Sequence, residues 1–133
     1  MIKLQVKYLS FFFAVISLLS FFNIIYSYYL NFYLNLNTYY YCLIASIFLS
    51  VLFFKIKSGE KKFSIFDKIL TVFFGYLLIP VVLSIPFYFS IYNLTFLDSF
   101  FEAVSGFTST GFTIFENIKH IDQSLILWRS SIQ

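Results

Sequence analysis

Apolar and polar positions divide this chain into three long apolar runs, one charged break and a final third of a different texture. The first run extends from Tyr8 to about Leu30. At ~1.5 Å per residue it is long enough to cross a ~30 Å hydrocarbon core as a helix. Lys3 and Lys7 precede it and Tyr26-Ser27-Tyr28-Tyr29 close it, a basic start and an aromatic end that suit an interfacial anchor. A signal peptide shares the basic start, but its apolar core is shorter and ends in small residues, so an uncleaved spanning helix is predicted. The connector 31–38 holds three Asn and no charge, and a second run from Tyr39 to Phe54 just spans if Leu36 is included. Residues 55–68 then carry Lys55, Lys57, Lys61, Lys62 and Lys68, offset by Glu60 and Asp67, around Ser58-Gly59. The third run, Ile69 to Tyr92, is ~36 Å if fully helical. It contains Pro80 and Pro86, each of which removes a backbone donor and predicts a kink. From Asn93 to Leu127 no stretch is apolar enough to cross again. This part must lie outside or dip in and return.

Short loops rich in Lys stay in the cytoplasm. The amino terminus and the lysine loop therefore share that side, with two crossings between them and the uncharged connector outside. The lysine loop also suits anionic lipid headgroups, although the topology role is sufficient. Of 133 residues, 60% are hydrophobic, 25% aromatic and 11% charged, against about 25% charged in soluble domains, so an integral membrane protein is predicted. The formal charge of +3 does not indicate nucleic acid, because seven of the nine basic residues lie in the two clusters beside apolar runs. Cys42 is the single cysteine. It excludes an intrachain disulfide, a thiolate cluster or a redox pair and reads as a packing residue in a helix. The 21 Phe and 11 Tyr are spread through every segment and read as lipid-facing and helix-packing bulk rather than an aromatic cage.

Chemistry concentrates in the last third. Thr95-Phe96-Leu97-Asp98 has the form of a helix start, a Thr cap with an acid three residues on. Phe96, Phe100 and Val104 then recur every four residues, as do Leu97 and Phe101. A helix from Phe96 to about Ser105 would be ~15 Å long, half a membrane. Gly106 is expected to end it, and its negative end would favour a cation just beyond. Thr108-Ser109-Thr110-Gly111 follow. Non-helical backbone at membrane depth is tolerated where it lines a water-filled path, and small hydroxyl residues with a glycine suit an extended filter strand whose carbonyls replace an ion's hydration shell. A phosphate cradle would need a Lys beside Ser or Thr and a helix after the glycines; neither is present. The plain alternative is an external Ser/Thr/Gly turn. Glu102 is expected to brace the loop through hydrogen bonds, with raising the local cation concentration, or simple pairing near the helix start, as its alternatives. Asp98, Glu116 and Asp122 read as a solvated surface, and His120, beside Lys119 with no second metal ligand, as a surface residue. Arg129 is expected to snorkel or pair with an acid. No nucleophile, base and orienting acid converge, so no enzyme is predicted.

The run Phe101-Glu102-Ala103-Val104-Ser105-Gly106-Phe107-Thr108-Ser109-Thr110-Gly111-Phe112-Thr113, with Trp128-Arg129-Ser130 and Gln133, resembles the first pore loop of the TrkH potassium transporters of the Trk/Ktr/HKT superfamily. The specific match covers residues 98–133; upstream only the helix pattern agrees. Ser109 stands where the family usually has Thr. The resemblance implies an all-α polytopic membrane protein with two leading transmembrane helices, then a transmembrane helix and a re-entrant pore helix with filter loop, truncated before the closing helix. Residues 1–66 would be the two-helix segment and 67–133 an incomplete first helix, pore-loop and helix repeat. It implies potassium as the transported ion, held by backbone carbonyls of Thr108, Ser109, Thr110 and Gly111, with Glu102 and Gly106 in support. It also implies a cell inner-membrane location, the remaining repeats as partners, a second copy of the subunit, and a cytosolic nucleotide-binding regulatory ring. One filter strand is about a quarter of such a site, so a piece of a longer or split transporter is favoured over four copies of this chain or a nonfunctional remnant. The rival from another class is a non-transporting anchor or assembly protein.

Overall fold

The computed structural model describes residues 6–56, 64–116 and 120–133. Lys3, Lys57, Ser58, Gly59, Glu60, Lys61 and Lys62 of the topology reading, and Lys119 beside His120, lie outside them. The described residues form helices α1 (Val6–Tyr29), α2 (Leu36–Lys55), α3 (Ile65–Leu83), α4 (Ile85–Tyr88), α5 (Phe96–Phe107) and α6 (Gln123–Ser131), with no strand among them. Among the described residues, three stretches are long and apolar enough to cross a membrane: Lys7–Tyr29, Leu36–Lys55 and Ile65–Tyr88. The protein is an all-α polytopic membrane protein.

α1 and α2 pair as an antiparallel hairpin. Ser10 and Ser50 exchange hydroxyl-to-carbonyl hydrogen bonds at 2.8 and 3.0 Å, and the Phe13 and Phe53 rings stack 5.6 Å apart. Small residues allow helix backbones to approach closely where lipid supplies no hydrophobic drive. The outward positions Phe11, Phe22, Ile44, Phe48, Phe54 and Ile69 are all exposed. In water such a surface would aggregate; in a bilayer it is the solvated face.

α3 starts four residues earlier than the hydropathy suggests. Ser64 and Asp67 close a capping box, in which the Ser64 N–H donates to Asp67 Oδ2 at 3.1 Å. Two orphan donors are thereby satisfied, and Asp67 and Lys68 become helical although their charge reads as loop. The expected kink is a break at Ser84, with Pro80 inside α3 and Pro86 at the start of α4. Pro86 has no N–H to offer the carbonyl of Val82, which Cys42 Sγ approaches at 3.6 Å. The adjacent Leu83 carbonyl accepts from Trp128 Nε1 at 3.2 Å. Neighbouring helices thus meet carbonyls at the break, as a proline inside a bilayer requires.

The last helix, α6, is opened by Asp122 as its N-cap. Trp128, Tyr39, Phe13, Phe87 and Leu125 fill the buried core, which therefore joins α6 to the α1–α2 hairpin.

Candidate functional site

α5 is 12 residues long, ~18 Å, well short of a crossing. Its start follows the sequence reading: Thr95 Oγ1 accepts from the Asp98 N–H at 3.2 Å and donates to Asp98 Oδ2 at 2.6 Å. The aromatic repeat faces outward, with Phe96, Leu97 and Phe101 exposed. The inward face is small and polar: Ser99, Glu102, Ala103, Ser105 and Gly106.

The end of α5 differs from expectation. Gly106 does not terminate the helix, which continues through Phe107. A Cβ at Gly106 would lie 2.9 Å from both Cγ1 and Cδ1 of Ile132, so this glycine lets the chain after α6 close against α5. The left-handed position belongs to Ser109, at φ +56°. The Thr110 N–H reaches the Ser105 carbonyl at 3.0 Å and the Ser109 N–H the Gly106 carbonyl at 2.8 Å, the two bonds of a Schellman termination. Serine in place of glycine there costs about 1–2 kcal/mol of torsional preference, while Ser109 Oγ gains a bond to the Gln133 carbonyl at 2.9 Å. A β-branched residue would fit that torsion worse.

The loop after α5 is sided. The N–H groups of Thr108, Ser109, Thr110 and Gly111 all turn back to carbonyls of Val104, Ser105 or Gly106. Among the described residues no hydrogen bond ends on the carbonyl of Thr108, Ser109, Thr110 or Gly111. These four residues are exposed. Instead of one extended strand, the backbone turns through Thr108 (φ −89°, ψ 3°) and Ser109 before it leaves at Gly111, φ +82°. A Cβ at Gly111 would meet nothing within 4 Å, so torsion alone asks for glycine there.

The outgoing limb 112–114 is fastened to α5 and α6. Glu102, fully buried, accepts at Oε1 from Thr113 Oγ1 at 2.6 Å and the Ile114 N–H at 2.7 Å, and its Oε2 is ion-paired with Arg129 Nη1. Arg129 Nη2 donates to the Phe112 carbonyl at 2.8 Å, and Ser105 Oγ donates to the same carbonyl at 2.6 Å. Arg129 takes the acid-paired of its two expected placements.

Asp122 is not solvated surface. It is buried, and its Oδ2 accepts from Asn35 Nδ2 and Ser124 Oγ, each at 2.8 Å, while Oδ1 takes the Ser124 N–H at 3.3 Å. Asn35 Oδ1 accepts the Ile91 N–H at 3.1 Å, and the Tyr39 hydroxyl lies 2.9 Å from Ser124 Oγ. A loop asparagine and the α6 N-terminus thus meet on one carboxylate, and the asparagine reaches on to the backbone that follows the third span. The only sequence signal for it was Asp-Gln-Ser as a helix cap. Asp98 and Glu116 are on exposed or half-buried positions and His120 is exposed. Among the described residues no group of three His, Cys, Asp or Glu could hold a metal ion.

Over 100 residues, 74% of the chain, the sequence is 29% identical to an uncharacterized cation transporter, MJ1485, of Methanocaldococcus jannaschii. Over 67 residues, 50% of the chain, it is 31% identical to the Trk system potassium uptake protein TrkG of Escherichia coli. The chain is thus similar to cation transporters, one of them a Trk-type potassium uptake protein. It spans 21% and 14% of the lengths of those two relatives. No family profile matches it and no solved structure matches it. Both relatives are named for transport.

Proposed function

We propose that the chain contributes the first of four selectivity-filter loops to a Trk-type potassium uptake path, with dehydrated potassium passing between backbone oxygens of Thr108, Ser109, Thr110, Gly111 and three counterpart loops. The observation that carries this reading is the sidedness of the loop: four consecutive N–H groups are spent on the end of α5, and the four carbonyls are left to an ion. Carbonyl rings are how potassium paths replace a hydration shell. The carboxyl end of α5 adds the negative pole of its dipole at the same place. The TrkG name supports potassium as the cargo. In this reading Glu102 and Gly106 support the loop, residues 1–66 form a leading two-helix unit and 67–133 the start of the first repeat. The chain sits in the cell inner membrane with its amino terminus in the cytoplasm. Its partners are the remaining repeats, a second subunit copy and a cytosolic nucleotide-binding regulator.

Gly111→Ala tests it in a potassium-uptake-deficient bacterial host carrying the complete coding unit. Because open space surrounds the position, the substitution forces only torsion, about 1–2 kcal/mol, and the protein should still accumulate. The expected result is loss of potassium-over-sodium preference in uptake. Accumulation with unchanged preference would refute the filter reading and leave the loop an external turn.

A further inference from the structure

Resting on that reading, we infer that Arg129 is a positioning residue that ends the row of ion-facing carbonyls at Gly111 by turning the next carbonyl, Phe112, into the protein. Phe112 O is the first oxygen after the four free ones, and it receives two hydrogen bonds, from Arg129 Nη2 and Ser105 Oγ. An oxygen that accepts both has its lone pairs committed and is withdrawn from ion coordination. The guanidinium does this while its other nitrogen is anchored on Glu102, a carboxylate with no exposed surface. Glu102 in turn holds the next backbone donor, Ile114 N–H, and the hydroxyl of Thr113. Planar fork geometry allows one side chain to serve a carboxylate and a carbonyl at once. The consequence is specificity: a fifth accessible oxygen, or a limb free to shift, would change the field that the loop presents to potassium and sodium. α6 thereby sets the outer limit of a site made by α5.

Two measurements test this separately. The sequence contains the pair Phe-Thr twice, at Phe107-Thr108 and Phe112-Thr113. Carbonyl-13C phenylalanine with 15N threonine therefore yields two directly bonded signals from the full chain in lipid bilayers, and the Phe107 signal is an internal control. Arg129→Gln should move the Phe112 carbonyl signal upfield and leave the other in place, with Arg129→Lys intermediate. In the uptake-deficient host with the complete coding unit, Arg129→Gln should lower the potassium-over-sodium uptake ratio roughly tenfold, the scale of one charge-assisted hydrogen bond, and Arg129→Lys should recover part of it. An unmoved Phe112 signal overturns the inference. So does a moved signal with an unchanged uptake ratio while Gly111→Ala abolishes the preference. If Gly111→Ala and Arg129→Gln both leave uptake as it was, the filter reading itself fails, whereas the spectrum still reports whether Arg129 holds the carbonyl.

Discussion

Removing the Asp122 carboxylate should undock α6 from the rest of the protein. In Asp122→Ala three donors lose their acceptor: Asn35 Nδ2, Ser124 Oγ and the Ser124 N–H. Asn35 and Ser124 are both fully buried, so neither side chain can turn to solvent. A buried donor left unsatisfied costs about 1–3 kcal/mol, and loss of a helix N-cap about 0.5–2 kcal/mol. These terms share partners and do not add, so about 3 kcal/mol is expected for Ala. Asn keeps the cap and one acceptor oxygen, so Asp122→Asn should cost about 1 kcal/mol. The assay is built into the chain, since Trp128 is its single tryptophan. It is fully buried on α6, with its indole N–H on the Leu83 carbonyl at 3.2 Å. In lipid nanodiscs, Asp122→Ala should change the Trp128 emission maximum and lower the denaturant midpoint, with Asp122→Asn between it and wild type. If emission and midpoint of the Ala variant match wild type, the carboxylate is not the pin.

Gly106→Ala should displace Ile132, whose Cγ1 and Cδ1 lie within 2.9 Å of the new Cβ. A destabilisation of about 1–3 kcal/mol is expected from overpacking, measured as a lower unfolding midpoint; a midpoint equal to wild type would show that the α5–α6 approach has slack. Ser109→Gly should raise thermal stability slightly, offset by loss of the bond to the Gln133 carbonyl. Ser109→Val should lower it by about 2 kcal/mol, because a β-branched residue is poorly tolerated at positive φ. Equal melting temperatures for the two variants would argue against the left-handed termination.

Much of the architecture was legible because hydrocarbon solvates only one kind of sequence. Three apolar runs of spanning length gave three spanning helices, and Thr95 with Asp98 announced α5. The proline break was foreseen, although not that Cys42 and Trp128 would meet the carbonyls beside it. The helix ends were harder to read. Asp67 reads as loop charge until Ser64 is seen to face it across one turn, and Gly106 reads as a terminator until Ile132 is found against it.

The sequence by itself determined the membrane class, the runs long and apolar enough to cross and the place of the hydroxyl-rich loop, because these depend on local properties: run length, proline chemistry and capping. Tertiary structure alone decided which charges are buried and whom they serve. Glu102 and Arg129 are 27 positions apart and Asn35 and Asp122 87 apart, separations at which no periodicity carries information. Within a bilayer a charge must find a partner or leave, and the partner is chosen by helix packing. The same packing gave the Phe112 carbonyl two donors, Arg129 Nη2 and Ser105 Oγ, and left those of Thr108 to Gly111 with none among the described residues.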